Sequence, residues 1–209
     1  RNRVRKLIVD LSEEDKASLE EEINAISTRA ESLNSKFIKE IAENVSFNNF
    51  GFAFIKLYSY QKIDYEIAIY IINFVLTSVS GKTETPRYRS VEKLLKKIRS
   101  GDDFGCSLHG CILRRVNNNI LILKEIAAIE RSTILLQNGA IWDRRFKFAT
   151  EAFVNNSNYK IEQLCMKDYI KIKEVLDMKE LAALSGNNHT DILFTLPVIK
   201  NLEKIVAIP

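Results

Sequence analysis

The sequence is poor in the residues that most often advertise chemistry. Its 209 residues include two histidines, His109 and His189, and three cysteines, Cys106, Cys111 and Cys165. The cysteines are odd in number and none stands in Cys-x-x-Cys spacing, which argues against a disulfide framework and a zinc site. They read as free thiols of a reducing, cytoplasmic setting, and no metal is expected. The longest apolar run, residues 67–76, is interrupted by Tyr70 and Asn73 and is far short of the roughly 20 residues that cross a bilayer, so no membrane partner is expected. Arg1 opens the chain with no apolar leader core behind it, which reads as a piece of a longer chain without a secretion signal.

What is present is an ordinary globular composition, 46% hydrophobic, with a formal charge of +4 that is unevenly spread. Residues 82–147 hold 14 Lys/Arg against 7 Asp/Glu, whereas residues 1–45 hold 8 against 10. A basic middle is the footprint of phosphate-backbone binding or, more blandly, of a solvated face.

Residues 1–10 read as the end of a helix carrying Arg1, Arg3, Arg5 and Lys6. Ser12 before Glu13-Glu14-Asp15 is an N-cap with acids in the first turn, where the helix dipole favours them. Leu19, Ile23, Ile26, Ala30, Leu33, Phe37, Ile41 and Val45 then form one apolar stripe at steps of three and four. The spacing fits a helix bridging two domains, an ordinary core helix or a coiled coil equally well. Phe50, Phe52 and Phe54 alternate as a short strand. Asp64 caps a very apolar helix that ends at Gly81, and Ser90 is read as the cap of a helix over residues 91–99, with Lys93, Lys96, Lys97 and Arg99 facing out.

Around Asn117-Asn118-Asn119 lie two strand-like runs, residues 105–116 and 120–125, which read as a hairpin with His109 in its first strand. In residues 142–148, strand alternation puts Phe146 and Phe148 inside and Arg145 and Lys147 outside. Strands near residues 159–164, 192–199 and 204–208 surround helical pattern over 167–184, and Pro197 suggests an edge strand. The fold class is therefore α+β: a helical linker and substrate-binding region followed by a small mixed α/β domain. The segments are 1–10, 11–46 (linker helix), 47–101 and 102–209.

No catalytic constellation stands out. Ser80-Gly81-Lys82-Thr83 lacks the earlier glycine of a nucleotide loop and closes a helix instead of opening one. His109 reads as structural or groove-lining, and Trp142 as a turn anchor.

Several short patterns nevertheless stand in one order: Asn2-Arg3-Val4-Arg5, Gly81, Pro86-Arg87, Leu94-Leu95, Leu108-His109-Gly110-Cys111, Lys124-Glu125, Trp142-Asp143-Arg144-Arg145-Phe146 and Leu196-Pro197-Val198. Together they resemble the carboxyl-terminal half of the tRNA(Ile)-lysidine synthase family, with His109 in place of a glycine and Lys124 in place of an arginine. The resemblance implies a parent ligase that uses ATP and magnesium to join lysine to the wobble cytidine of a tRNA(Ile) with a CAU anticodon. Its ATP loop, Ser-Gly-Gly-x-Asp-Ser, does not occur in these residues, so this chain is expected to hold tRNA without performing the chemistry and to bind no cofactor. Residues 1–10 would end the catalytic domain, with Arg3 and Arg5 near its active site. The expected tRNA contacts are Arg87, Arg89, Lys93, Lys96, Lys97, Arg114, Arg115, Arg144, Arg145 and Lys147, acting on phosphates without reading sequence. The alternative is a structural module in which the apolar helices form a homodimer and the basic surface is incidental.

Overall fold

The structure is a computed structural model that describes residues 11–101, 104–149, 158–174, 179–185 and 188–208. Arg3 and Arg5, with the rest of residues 1–10, lie outside the described residues.

Helix α1 (Glu13–Asn44) starts where the sequence places it, with the Ser12 hydroxyl accepting from the Asp15 N–H. Only its second half is packed: Leu33, Phe37 and Ile41 meet the core, whereas Ile23 and Ile26 are exposed. The chain then turns through strands β1 (Val45–Phe47) and β2 (Ala53–Lys56), where Asn48 Oδ1 accepts from the Phe50 N–H and shapes the turn. Short helix α2 (Leu57–Lys62) leads to α3 (Tyr65–Ser80), capped by the Asp64 carboxylate and closed by Gly81 in the left-handed conformation, φ 70. Helix α4 (Tyr88–Ser100) begins earlier than a Ser90 cap requires; Arg87 is its N-cap and offers no side-chain bond. Pro86, with its fixed φ, precedes this cap and stands where a helix entry tolerates it.

The asparagine turn forms as expected between β4 (Cys111–Val116) and β5 (Asn119–Lys124), with Asn117 at φ 54. Residues 105–116 are not one strand, however. His109 and Gly110, at φ 57 and 77, make a second tight turn that separates β3 (Gly105–Leu108) from β4. His109 thus sits at a left-handed turn position, not within a strand, and the glycine it replaces in the family pattern is the residue such a turn favours.

The resulting five-stranded sheet has the order β1-β2-β5-β4-β3 and is antiparallel at each junction. Its central strand β5 is apolar on both faces: Ile120 and Ile122 join the core formed with α2, α3 and α4, while Leu121 and Leu123 join Leu164, Leu193, Leu196 and Val198 on the other side. Alternation along a strand sends neighbours to opposite faces, so an unbroken apolar run is what a doubly covered strand requires. The pairing of β2 with β5 also means that the sequence boundary at residues 101–102 falls within one sheet.

A second antiparallel sheet, ordered β11-β10-β9-β6, is made of β6 (Ile134–Leu135), β9 (Tyr159–Gln163), β10 (Pro197–Asn201) and β11 (Lys204–Ala207). Pro197 is not on an edge strand. It opens β10, the other position where a missing N–H is tolerated. Along the chain a small hairpin, β7 (Ile141–Trp142) with β8 (Phe146–Lys147), falls between β6 and β9, and three short helices, α5 (Met166–Ile172), α6 (Lys179–Ser185) and α7 (His189–Leu193), fall between β9 and β10. The fold is α+β. Among the described residues no helix is long and apolar enough to cross a membrane.

Candidate functional site

The β7–β8 hairpin is held by three groups. Trp142 is fully buried, its indole N–H donating to the Ser132 carbonyl at 3.2 Å. Asp143 and Arg144 follow at φ 52 and 56, the pair of left-handed residues that a tight hairpin turn demands. Aspartate tolerates that conformation, whereas an ordinary side chain such as arginine is strained there by about 1–2 kcal/mol.

Asp143 points inward and is the hub of a buried ion cluster. Its Oδ1 accepts from Lys124 Nζ at 2.6 Å and from the Glu130 N–H at 2.9 Å, and its Oδ2 accepts from Arg145 Nε at 2.7 Å. Arg145 also donates to the carbonyls of Thr195 and Gly51 and lies over the Phe146 ring. Its side chain is 3% exposed, so the outward basic face expected for Arg145 is corrected: residues 143–145 turn, and strand alternation does not carry through them. Burial lowers the pKa of Lys124 and of Arg145, and the Asp143 carboxylate opposes the shift in both.

The loop after α3 closes over this turn. A Cβ on Gly81 would stand 2.8 Å from the Asp143 carbonyl oxygen and 3.3 Å from Arg144 Cβ, so backbone approaches backbone there. A Cβ on Gly110 would stand 3.4 Å from Lys82 Nζ, which places that ammonium beside the His109-Gly110 turn. Beside these parts lies a cleft of about 270 Å³ whose lining includes Gly81, Lys82, Lys124, Glu130, Asp143 and Arg144. The neighbouring Cys111 thiol is buried and pushed up to about 12. Beside Lys82, His109 is held below its usual pKa by burial first and by that ammonium second. Among the described residues, no group of three or more His, Cys, Asp and Glu side chains is placed to hold a metal ion.

The ten basic residues singled out in the sequence separate into groups. Arg89, Lys93, Lys96 and Lys97 are exposed and, at spacings of four, three and one, share one side of α4; Arg87 is exposed at the start of that helix. Lys96 also pairs with Glu92 at 3.4 Å. Arg99 leaves this face, donating to the Ile63 carbonyl and lying over Tyr65. Arg115 joins it from β4, its guanidinium donating to the carbonyl of Gly101 at the end of α4. Its neighbour Arg114 points to the opposite side of the sheet and bonds Asp191 at 2.8 Å and Asn188 at 2.6 Å. Arg144 and Lys147 are exposed on the hairpin. Sequence reasoning missed Lys82 and the hub role of Asp143. The signal for them was the ordered motif series itself, because Gly81, Gly110, Lys124, Asp143 and Arg145 meet at this one place.

Over 175 residues, 83% of its length, the chain is 41% identical to a protein of Rickettsia bellii (strain RML369-C) named tRNA(Ile)-lysidine synthase, matching 40% of that protein. Proteins of the same name from Rickettsia felis and Rickettsia akari are 41% and 42% identical over 182 residues, 85% of this chain and 42% of each relative. The chain therefore spans about two-fifths of the length of these curated relatives, in their carboxyl-terminal part. No model of a known protein family matches it. No solved structure matches it either.

Proposed function

We propose that this chain, which belongs to the carboxyl-terminal part of the tRNA(Ile)-lysidine synthase family, is the tRNA-holding portion of a ligase that modifies tRNA(Ile). The parent enzyme would use ATP with magnesium to join lysine to the wobble cytidine of the CAU anticodon, and this portion would fix the tRNA while the reaction proceeds elsewhere. No step of that reaction is assigned to the residues described here.

The observation that carries the reading is the one-sided cationic face of α4. Arg89, Lys93, Lys96 and Lys97 project from a helix whose other side, Val91, Leu94, Leu95 and Ile98, is buried in the core, and Arg115 extends the face from the sheet. A rigid cationic surface neutralises phosphates and displaces their counterions without reading bases. A-form RNA presents mostly shape, phosphates and 2′-hydroxyls, which suits a surface of this kind.

The test is the affinity of the chain for a CAU-anticodon tRNA(Ile) and for an unrelated tRNA across a salt series. Binding should weaken by about 0.7–0.9 log units per log unit of salt for each phosphate contacted. Lys96→Glu with Lys97→Glu should weaken it further, and unchanged affinity at low salt would remove α4 from the interface.

A second reading rests on a different observation. Ile23 is 55% and Ile26 68% exposed on α1, next to a groove lined by Leu33, Phe37, Tyr70 and Phe74. An apolar face of this kind suits a structural or homodimerisation role. Sedimentation across concentration, with and without Ile26→Lys, separates the two readings.

A further inference from the structure

We propose that the cleft between the Gly81 loop and the Arg144 turn is a binding site for a phosphate group of the tRNA backbone, with Lys82 and Arg144 as its walls and Lys124 at its floor. The proposal rests on the tRNA-holding reading above and adds a second place of contact, apart from the face of α4.

The first argument is charge. Lys124 and Arg145, 5% and 3% exposed, share a single carboxylate, so the buried cluster keeps one positive charge without a partner of its own. Asp143 cannot repel an incoming anion strongly, because its oxygens are already engaged by both cations and by the Glu130 N–H. Two further cations, Lys82 and Arg144, stand at the same cleft. One further carboxylate residue, Glu130, lines the cleft and Glu84 stands near Arg144, but both residues are exposed and their charges are screened by water. Buried positive charge in excess under an open cleft favours an anion there.

The second argument is conformational. Arg144 is exposed yet holds φ 56, where glycine or asparagine would be relaxed. Strain of that kind persists where surrounding structure enforces it and concentrates at sites that bind. The buried ion cluster and the close Gly81 approach supply the enforcement. Recognition would be by side chains: α4 does not begin until Tyr88, so no helix N-terminus opens behind Lys82 to cradle the phosphate with backbone N–H groups.

The test compares wild type with Lys82→Gln, Arg144→Asn and the pair, using CAU-anticodon tRNA(Ile) over a salt series, and inorganic phosphate and ATP by isothermal titration. Arg144→Asn suits the turn and should leave the thermal midpoint unchanged or higher, so this variant carries the test alone should Lys82→Gln disturb folding. The double substitution is expected to lower the salt slope by about 0.7–0.9, the share of one phosphate, and each single substitution by part of that. An unchanged slope in the double variant, with binding still lost in Lys96→Glu/Lys97→Glu, would overturn the cleft and leave the wider reading standing. Phosphate or ATP binding that depends on Lys82 and Arg144, with an unchanged tRNA slope, would overturn tRNA as the source. Failure of the wild-type chain to bind tRNA at any salt would overturn the wider reading and the cleft's ligand with it.

Discussion

Lys124 and Asp143 meet at 2.6 Å across 19 residues of sequence, with 5% and 1% of their side chains exposed. This contact ties the last residue of the central strand β5 to the turn of the β7–β8 hairpin, and Arg145 closes the cluster from the other carboxylate oxygen.

Removing the shared carboxylate should therefore be costly. Asp143→Asn leaves two buried cations without a counter-charge, and breaking a buried pair in this way costs about 3–5 kcal/mol. Urea unfolding should show that loss, whereas Lys147→Gln on the exposed side of the same hairpin should change stability by less than about 0.5 kcal/mol. Equal stability of Asp143→Asn and wild type would show that the cluster holds nothing together.

Gly81→Ala is expected to destabilise by more than about 1 kcal/mol, since Gly81 has φ 70 and an added Cβ would meet the Asp143 carbonyl at 2.8 Å. Gly101→Ala, at φ 79 but with nothing within 4 Å of the added atom, carries only the conformational part of that cost and should be milder. Thermal melts of the two variants side by side check the difference.

Acid should weaken the second sheet through Asp168. Its carboxylate is buried, which raises its pKa, but hydrogen bonds from Cys165 and Lys200 outweigh burial and hold it below its ordinary value. A depressed carboxylate contributes stability above its unfolded pKa and loses it as pH falls through the folded one. Wild type should thus lose stability below about pH 4. Asp168→Asn should be weaker by about 2 kcal/mol at neutral pH and show a flatter acid limb in pH-dependent melts.

Arg114 and Arg115 give a contrast between neighbours. Arg115→Ala should reduce the salt slope of tRNA binding, because its side chain stands beside the end of α4. Arg114→Ala should leave the slope unchanged and cost less than about 1 kcal/mol of stability, since its pair with Asp191 is more than a third exposed and screened by solvent. A slope change for Arg114 alone would place the RNA on the other face of the sheet.

Much of this was legible in the chain. The Ser12 and Asp64 caps, the Gly81 stop, the asparagine hairpin and the buried stripe of α4 are local: each depends on a few neighbouring residues whose capping groups, φ preferences and periodicity act within one element. The order of the motifs likewise carried the family, because similarity is a property of sequence alone. What the chain did not determine by itself was partnership. Arg145 reads as an outward strand residue until a carboxylate in the same turn and a carbonyl 50 residues away draw it inside. Arg114 and Arg115 read alike as phosphate contacts until the sheet sends them to opposite faces, and Ile26 belongs to an apolar stripe whose covering the spacing left open until the structure shows it exposed. Periodicity decides which residues share a face, but only the packing of distant elements decides which faces are covered, and the cleft exists because three separate turns converge.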